Sequence, residues 1–302
     1  MGGFEVGLVL PLMQEGAERT TRRWPEIRAI ALRAEALGFD TVWVPDELLW
    51  RAGEGEPPRG SWDGVSMLGA VAAVTSTIAV GSWVLSALHR NAGIIAKTVE
   101  TLDEIAGGRF VFGLGAGHEW PGQAKAFGLP ETEIFARFEE ALGVILPLVG
   151  EGRADVAGRF HSAHDLIQAP RGPRPGAIPL WIGGNGPKGQ RHAARHADVY
   201  SCYVEERAVP EEVAPRVAAF EAACAAIGRD ASGIGRSVGV SVDPTRPAAW
   251  RPSVLSGMPA EIAAGLLAFR AAGITRAELM VAPGTLESVE VLGEVLALVR
   301  SA

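Results

Sequence analysis

The sequence predicts an α/β fold, a single (β/α)8 TIM barrel that spans residues 1–302. Apolar runs of strand length alternate with segments of helical spacing from one end of the chain to the other. The alternation repeats eight times, which is the number that closes a barrel. Several strand-like runs are apolar throughout, as expected where both faces of a parallel sheet are buried.

The predicted elements follow one another in order. The strands are short apolar runs at residues 4–10, 41–44, 78–85, 110–114, 179–182, 198–201, 234–242 and 277–281. The helices have an apolar face or Gly and Pro at their ends, and they cover residues 24–37, 65–75, 94–106, 131–149, 187–196, 210–227, 259–272 and 286–299. A stretch rich in Gly, Pro, Arg and His, residues 150–177, is interpreted as an excursion between helix 4 and strand 5. A doubly wound open sheet is the alternative that fits the same alternation.

Composition narrows the class of protein. The chain is 48% apolar and 21% charged, which suits a large core, and its net charge of -7 argues against a nucleic-acid partner. The two cysteines, Cys202 and Cys224, have no metal-ligand spacing and favour a reduced cytoplasm. Residues 1–12 lack a basic start and are predicted as a strand, not a signal peptide. No apolar run reaches the roughly 18 residues of a membrane span.

Two adjacent carboxylates follow strand two. In a barrel, functional groups lie on the loops after the strands, so Asp46 could hold a ligand and Glu47 could handle a proton. The alternative is that Asp46 caps a turn and Glu47 is solvated. Trp50 follows on the same loop and could border a pocket.

Strands three and four end in two further signals. Trp83 could form the wall for a flat ring system, or it could be a core tryptophan. Gly113, Gly115 and Gly117 alternate along strand four, a pattern that lets a ligand approach the backbone closely. His118 comes next, and it is either a structural histidine or a group that titrates near neutral pH at the functional rim.

The turn after strand five, Gly183-Gly184-Asn185-Gly186, leads into a helix that begins at Pro187. A glycine-rich turn at a helix N-terminus presents free N–H groups to an anion, and Lys188 and Arg191 add positive charge. We interpret it as a phosphate-binding site, with a plain connecting turn as the alternative.

The remaining histidines do not predict a metal site. His161 and His164 lie near Asp165 but lack a convincing fourth ligand. His192 and His196 have helical spacing without the glutamate of a zinc protease motif, and are interpreted as covering the surface of their helix.

Four segments together resemble the bacterial-luciferase-like superfamily. They are EALGFDTVWV at 35–44, AKT, TLD and GGRF within 96–110, GLGAG at 113–117 and WIGGNGP at 181–187. The resemblance covers essentially the whole chain. This superfamily contains flavin-dependent monooxygenases and enzymes that use coenzyme F-420, a deazaflavin.

The resemblance implies a flavin-type ring in the mouth of the barrel and a phosphate on the turn after strand five. It also implies a non-proline cis peptide bond between Trp83 and Val84. The residues expected to bind the cofactor are Asp46, Ser82, Trp83, Val84, Gly115, Ala116, Gly117, Gly183, Gly184, Asn185 and Gly186.

Two departures from the family pattern bear on the chemistry. Many deazaflavin members carry Asp-His after strand two, where this chain has Asp46-Glu47, and some carry Glu where it has His118. The acid and the imidazole are hypothesised to have exchanged places. Some flavin luciferases have an arginine at the position of Ala116, so its absence favours the deazaflavin. The lysine-rich sites of sugar-phosphate dehydrogenases are not evident.

The sequence therefore predicts a coenzyme F-420-dependent oxidoreductase that transfers hydride to or from a small organic substrate. Glu47 and His118 are the predicted proton-transfer residues, and Trp50 and Trp120 the predicted walls of the substrate pocket. The alternatives are an FMN-dependent monooxygenase supplied by a separate reductase, and a non-catalytic flavin-binding protein. A cytoplasmic homodimer without a nucleic-acid, membrane or metal partner is expected.

Overall fold

The structure is a computed structural model that describes residues 3–16, 18–51, 55–117 and 122–302. Eight parallel strands form its centre: β1 Glu5–Val9, β2 Thr41–Val44, β3 Ala79–Ser82, β4 Phe110–Gly115, β5 Leu180–Gly183, β6 Val199–Tyr203, β7 Gly235–Asp243 and β8 Arg276–Val281. Each strand pairs with the next along the chain, and β8 pairs with β1, so the sheet closes. The predicted (β/α)8 barrel is confirmed, and the open-sheet alternative is wrong.

A long helix follows each strand. The helices are α1 Trp24–Leu37, α2 Gly64–Val74, α3 Ala92–Ile105, α4 Ile134–Gly150, α5 Pro187–His196, α6 Pro210–Ala225, α7 Pro259–Ala271 and α8 Leu286–Ser301. Local sequence determines their ends: α1 stops at Gly38, whose φ of 83° is a conformation that side chains rarely adopt. In the described part of the chain, no helix is both long and apolar enough to cross a membrane.

Several short elements lie outside the repeat. A first hairpin pairs Leu49–Trp50 with Arg59–Gly60, and a short helix covers Gln123–Phe127. The predicted excursion at 150–177 contains a second hairpin, Arg153–Ala157 with Ser162–Ile167. The segment Val254–Ser256 pairs with β7.

The predicted third strand, 78–85, is wrong in one respect. The structure divides it into β3 and a separate segment, Leu85–Ser86, which pairs with the end of β4. The division falls at Trp83 and Val84, where the backbone leaves the strand path. An apolar run alone carries no signal for such a break.

Large aromatic side chains fill the inside of the barrel. The ring centres of Trp43 and Trp181 lie 4.4 Å apart. Gly81 makes room for Trp43, because a Cβ at that position would lie 2.1 Å from the Trp43 ring. The interior below the mouth is therefore packed, and chemistry has to occur at the carboxyl ends of the strands, as is general for this fold.

Candidate active site

The backbone bulges directly after β3, where the Trp83–Val84 peptide bond is cis. The bond that the resemblance implied to be cis is thus present at the expected residues. Ser82 anchors the bulge, because its buried hydroxyl donates to the Gly113 carbonyl at 2.8 Å and accepts from the Gly113 N–H at 2.9 Å. The polar atoms of Ser82 therefore fix β3 to β4.

The Trp83 indole extends across the mouth from β3 to β7. A Cβ built on Gly239 of β7 would lie 2.5 Å from Cζ2 of Trp83, so only glycine leaves room for the ring. Trp83 packs on the inner cluster that contains Trp43 and stays half-buried. The ring therefore covers the packed interior and forms the floor of the mouth, and its role as a wall for a flat ring system stays a prediction.

The glycines of β4 lie against the bulge. A Cβ on Gly113 would lie 1.9 Å from the Ser82 carbonyl oxygen, and one on Gly115 would lie 2.7 Å from Cγ2 of Val84. A Cβ on Gly117 would also lie 2.7 Å from a side-chain oxygen of the segment after the bulge. Close packing of the chain against itself therefore requires glycine at these positions, and the ligand approach that the sequence suggested for them stays a prediction.

Asp46 is buried at the end of β2 and forms a bidentate ion pair with Arg90. Its Oδ2 accepts from Arg90 Nη1 at 2.6 Å and from the Ser86 N–H at 2.9 Å, while Oδ1 accepts from Arg90 Nη2 at 2.8 Å. Burial raises the pKa of Asp46, but its contacts with His89 and Arg90 outweigh burial and lower it. Asp46 is therefore an ionised group whose oxygens hold the loop after the bulge.

The surroundings of Glu47, the next residue, raise its pKa, whereas those of Asp46 lower the pKa of that group. The Oε2 atom of Glu47 is buried and has no hydrogen-bond partner among the residues that the structure describes. Burial, together with the nearby Asp46 carboxylate, raises the pKa of Glu47 to about 7. A carboxyl group with this pKa exchanges protons near neutral pH, which is the property required of a general acid or base.

Two residues that contact Asp46 and the backbone after Glu47 were not predicted from the sequence. The His89 imidazole lies with Nδ1 3.3 Å from Asp46 Oδ2 and Nε2 3.3 Å from Gln123 Nε2. Gln123 Oε1 accepts from the N–H groups of Leu48 and Leu49, the residues after Glu47. A signal was present in the sequence: the histidine stands on the loop after strand three, at the functional end of the barrel.

The turn after β5 has the backbone geometry of an anion site. Gly184 has a φ of 146° and donates its N–H to the Ser201 carbonyl at 3.0 Å. Gly186 precedes α5, and within the described ranges no side chain caps this helix. The N–H groups of the first turn, at the positive end of the helix dipole, can therefore bind an anion.

Asn185 does not cap α5; its side chain contacts the end of β6 instead. Its Oδ1 accepts from the Tyr203 N–H at 3.0 Å, and its Nδ2 donates to the Tyr203 carbonyl at 3.1 Å. Both ends of the amide are thus engaged with the end of β6. Asn185 fixes the turn in place and leaves the helix N-terminus open.

Other predicted site residues remain predictions. Trp50 lies on the first hairpin, with the Arg59 guanidinium 5.2 Å from its ring centre. Ala116 is half-buried and packs against the larger of the two hydrophobic clusters, which does not contain Trp43. His118 and Trp120 lie outside the described residues.

Of the other histidines, His192 is buried and packs edge-on against Phe138, with ring centres 5.1 Å apart. The interpretation of His192 as a surface residue is wrong, because its ring lies between α5 and α4. Across the described ranges, no group of three or more His, Cys, Asp and Glu side chains is arranged to hold a metal ion.

Comparison with known proteins assigns the family. The family described as luciferase-like monooxygenase matches residues 4–288. The chain therefore belongs to the luciferase-like monooxygenase family, in agreement with the resemblance.

The names of individual relatives describe different reactions. An F420-dependent glucose-6-phosphate dehydrogenase of Kineococcus radiotolerans is 34% identical over 57% of this chain and 50% of its own length. The chain thus spans about half the length of this relative. Pyrimidine monooxygenase RutA of Rhizobium rhizogenes is 28% identical over 76% of this chain and 65% of its own length. A solved F420-dependent secondary alcohol dehydrogenase shares the fold, with a TM-score of 0.82, 19% identity and coverage of 99% and 100% of the two chains.

Proposed function

We propose that the chain is a coenzyme F-420-dependent oxidoreductase that transfers hydride to or from a small alcohol or carbonyl compound. The observation that carries this proposal is the carboxyl group of Glu47, which has a buried, unpartnered Oε2 among the described residues and a pKa raised to about 7. A hydride transfer at a carbon that bears oxygen requires a proton transfer at that oxygen. Glu47 has the protonation equilibrium for this task.

The backbone turn from Gly183 to Gly186 and the open N-terminus of α5 would hold the anionic tail of the cofactor. Trp83 and the bulge at Val84 would support the ring from below, because the indole forms the floor of the mouth. Bound there, the deazaflavin would supply or accept the hydride.

In the proposed reaction, the ionised carboxylate of Glu47 accepts the substrate hydroxyl proton during oxidation. Protonated Glu47 returns that proton during reduction of the carbonyl. A pKa of about 7 keeps both forms populated near neutral pH, so one residue serves both directions. His118, as a second proton-transfer residue, and Trp50 and Trp120, as walls of the substrate pocket, remain part of the proposal from the sequence.

The names of the relatives support the deazaflavin. The dehydrogenase of Kineococcus radiotolerans and the solved secondary alcohol dehydrogenase are both named as F420-dependent. Both names describe oxidation of a carbon that bears oxygen. The absence of an arginine at Ala116 in this sequence points the same way.

The second candidate function is an FMN-dependent monooxygenase that receives reduced flavin from a separate reductase. It is favoured by the relation to RutA, which extends over 76% of this chain. In that case the same mouth would hold FMN and exclude water from it.

Titration of the cofactor-free protein separates the two. We expect it to bind coenzyme F-420 more tightly than FMN, and to reduce F-420 with at least one member of a panel of alcohols that includes glucose 6-phosphate. Binding is followed by quenching of cofactor fluorescence and reduction by absorbance. Tight FMN binding together with substrate-dependent oxygen consumption, and no turnover with F-420, would overturn the proposal in favour of the monooxygenase.

A further inference from the structure

His89 interacts electrostatically with Glu47, the proposed proton-transfer residue, and fixed groups face both of its ring nitrogens. Its side chain is only 6% exposed. Nδ1 faces Asp46 Oδ2 and Nε2 faces Gln123 Nε2, each at 3.3 Å. A buried imidazole with fixed partners on both sides has a preferred tautomer, which the identity of those partners determines.

The orientation of Gln123 follows from its other end. That end receives two backbone N–H groups, from Leu48 at 3.1 Å and Leu49 at 2.8 Å. Only the amide oxygen accepts hydrogen bonds, so Oε1 must be the atom at this end. The atom that faces His89 is therefore the amide nitrogen, which is a pure donor.

The state of His89 follows in turn. A donor opposite Nε2 requires a lone pair on Nε2, so the ring proton of neutral His89 lies on Nδ1. That proton faces the Asp46 carboxylate. The interaction is electrostatically favourable, although its geometry does not meet the criteria for a hydrogen bond. An imidazolium would instead point Nε2–H at the Gln123 amide N–H, an unfavourable contact in a buried site.

The charge on His89 matters for Glu47, because a positive ring would favour the ionised carboxylate. Other charged groups also act on this pair. Asp46 acts on both residues, and Arg90 acts through Asp46 and also contacts Asp63 at 3.3 Å. The ion pair with Arg90 keeps Asp46 ionised, so the charge on Asp46 is constant near neutral pH, and the charge on His89 is the one near Glu47 that can vary.

We propose that His89 is a positioning residue for Glu47: Asp46 and Gln123 hold its ring as the neutral Nδ1–H tautomer, and this neutral ring lets Glu47 keep an exchangeable proton at neutral pH. Gln123 has a second part in the same arrangement, since it also fixes the backbone of Leu48 and Leu49. The importance of this arrangement for catalysis rests on the proposed function of Glu47, but the tautomer itself does not.

The first test is made on the unchanged, cofactor-free protein. Ring nitrogen chemical shifts of ¹⁵N-labelled His89, assigned by comparison with His89→Gln, report the tautomer directly. We expect a protonated Nδ1 and an unprotonated Nε2 at pH 7. An Nε2–H tautomer or an imidazolium at pH 7 would overturn the proposal.

The second test charges the ring deliberately. In Gln123→Glu, Oε1 still accepts from Leu48 and Leu49, but the atom opposite His89 becomes an acceptor, so His89 takes up a proton. The double variant His89→Gln/Gln123→Glu carries the new carboxylate without the imidazolium and is the matched control. The carboxyl ¹³C shift of Glu47 gives its titration midpoint in each.

We expect the midpoint in Gln123→Glu to lie about one pH unit or more below that of the double variant. Equal midpoints would show that His89 does not control Glu47. If Glu47→Gln keeps full turnover while the tautomer and the midpoints agree with expectation, the proposed function of Glu47 fails and the inference about His89 stands.

Discussion

The two sides of the barrel mouth are built from different parts of the chain. After β2 and β3, the site consists of side chains: Asp46 and Arg90 form a buried ion pair, and Glu47 lies beside them with an elevated pKa. After β5, the site is backbone, a glycine turn and a helix N-terminus that the described side chains leave uncapped. The first arrangement suits proton transfer and the second suits anion binding, so each side can be altered separately.

The largest effect, on turnover, is expected from a change at the side chains that follow β2. Glu47→Gln removes the titrating proton but keeps the size and shape of the side chain, and we expect turnover to fall by roughly 100- to 10,000-fold. Cofactor affinity should change little, because the anion site lies on the other side of the mouth. Steady-state kinetics and a binding titration on the same preparation check both points.

The pH profile gives the control for this variant. In the unchanged protein, the pKa of about 7 at Glu47 should produce an inflection near pH 7 in the rate of hydride transfer. The inflection should be absent from the residual activity of Glu47→Gln. If the variant kept full turnover and the same inflection, another group would perform the proton transfer.

The next effect is on stability. Arg90→Gln leaves the Asp46 carboxylate buried without its bidentate partner, and we expect unfolding to require about 3 kcal/mol less at pH 7. Asp46 has a lowered pKa in the folded protein, so its ionised form contributes stability above the unfolded pKa, and this contribution is lost as pH falls through the folded pKa. The deficit of the variant should therefore shrink toward acidic pH. Urea unfolding at pH 7 and near pH 3, which is below the unfolded pKa of an aspartate, tests this, and an unchanged deficit would contradict the assignment.

How much of this could be predicted from the sequence depends on the distance between interacting residues along the chain. The barrel was predictable because each strand and helix carries its own local apolar pattern. The turn at Gly183–Gly186 was predictable for the same reason, since three of its four consecutive residues are glycines. Glu47 could be singled out as a candidate because its place after a strand is itself a local signal.

Long-range partners could not be predicted in this way. Asp46 and Arg90 are separated by 44 positions, and Leu48 and Gln123 by 75. Only the closed barrel brings these loops together, so a single sequence gives no reason to connect them. Likewise, the glycines of β4 were visible as a pattern, but the sequence did not show that the bulge occupies the space beside them.

The role of those glycines can be tested by a double-mutant cycle. Gly115→Ala places a Cβ 2.7 Å from Cγ2 of Val84, and we expect a loss of about 2 kcal/mol in stability from overpacking. Val84→Ala removes that methyl group, so the double variant should recover part of the loss. Denaturant unfolding of the four proteins gives the coupling energy. If Gly115→Ala left stability unchanged but weakened cofactor binding, the glycine would serve ligand approach after all.

The smallest effect, on cofactor affinity, is expected from a change in the glycine turn after β5 that adds a charge without straining the backbone. Gly186 has a φ of -98°, and nothing in the described structure lies within 4 Å of a Cβ built there, so a side chain fits. In Gly186→Glu, the new carboxylate competes for the free N–H groups of α5 and repels an anion. We expect the dissociation constant of the cofactor to rise about tenfold.

Gly186→Gln has the same shape without the charge and should bind the cofactor nearly as the unchanged protein does. The difference between the two should diminish at high salt, and the midpoint of Glu47 should be the same in both. Equal affinity of the Glu and Gln variants at low salt would mean that the cofactor phosphate binds elsewhere and that the division of the mouth into two independent halves is wrong.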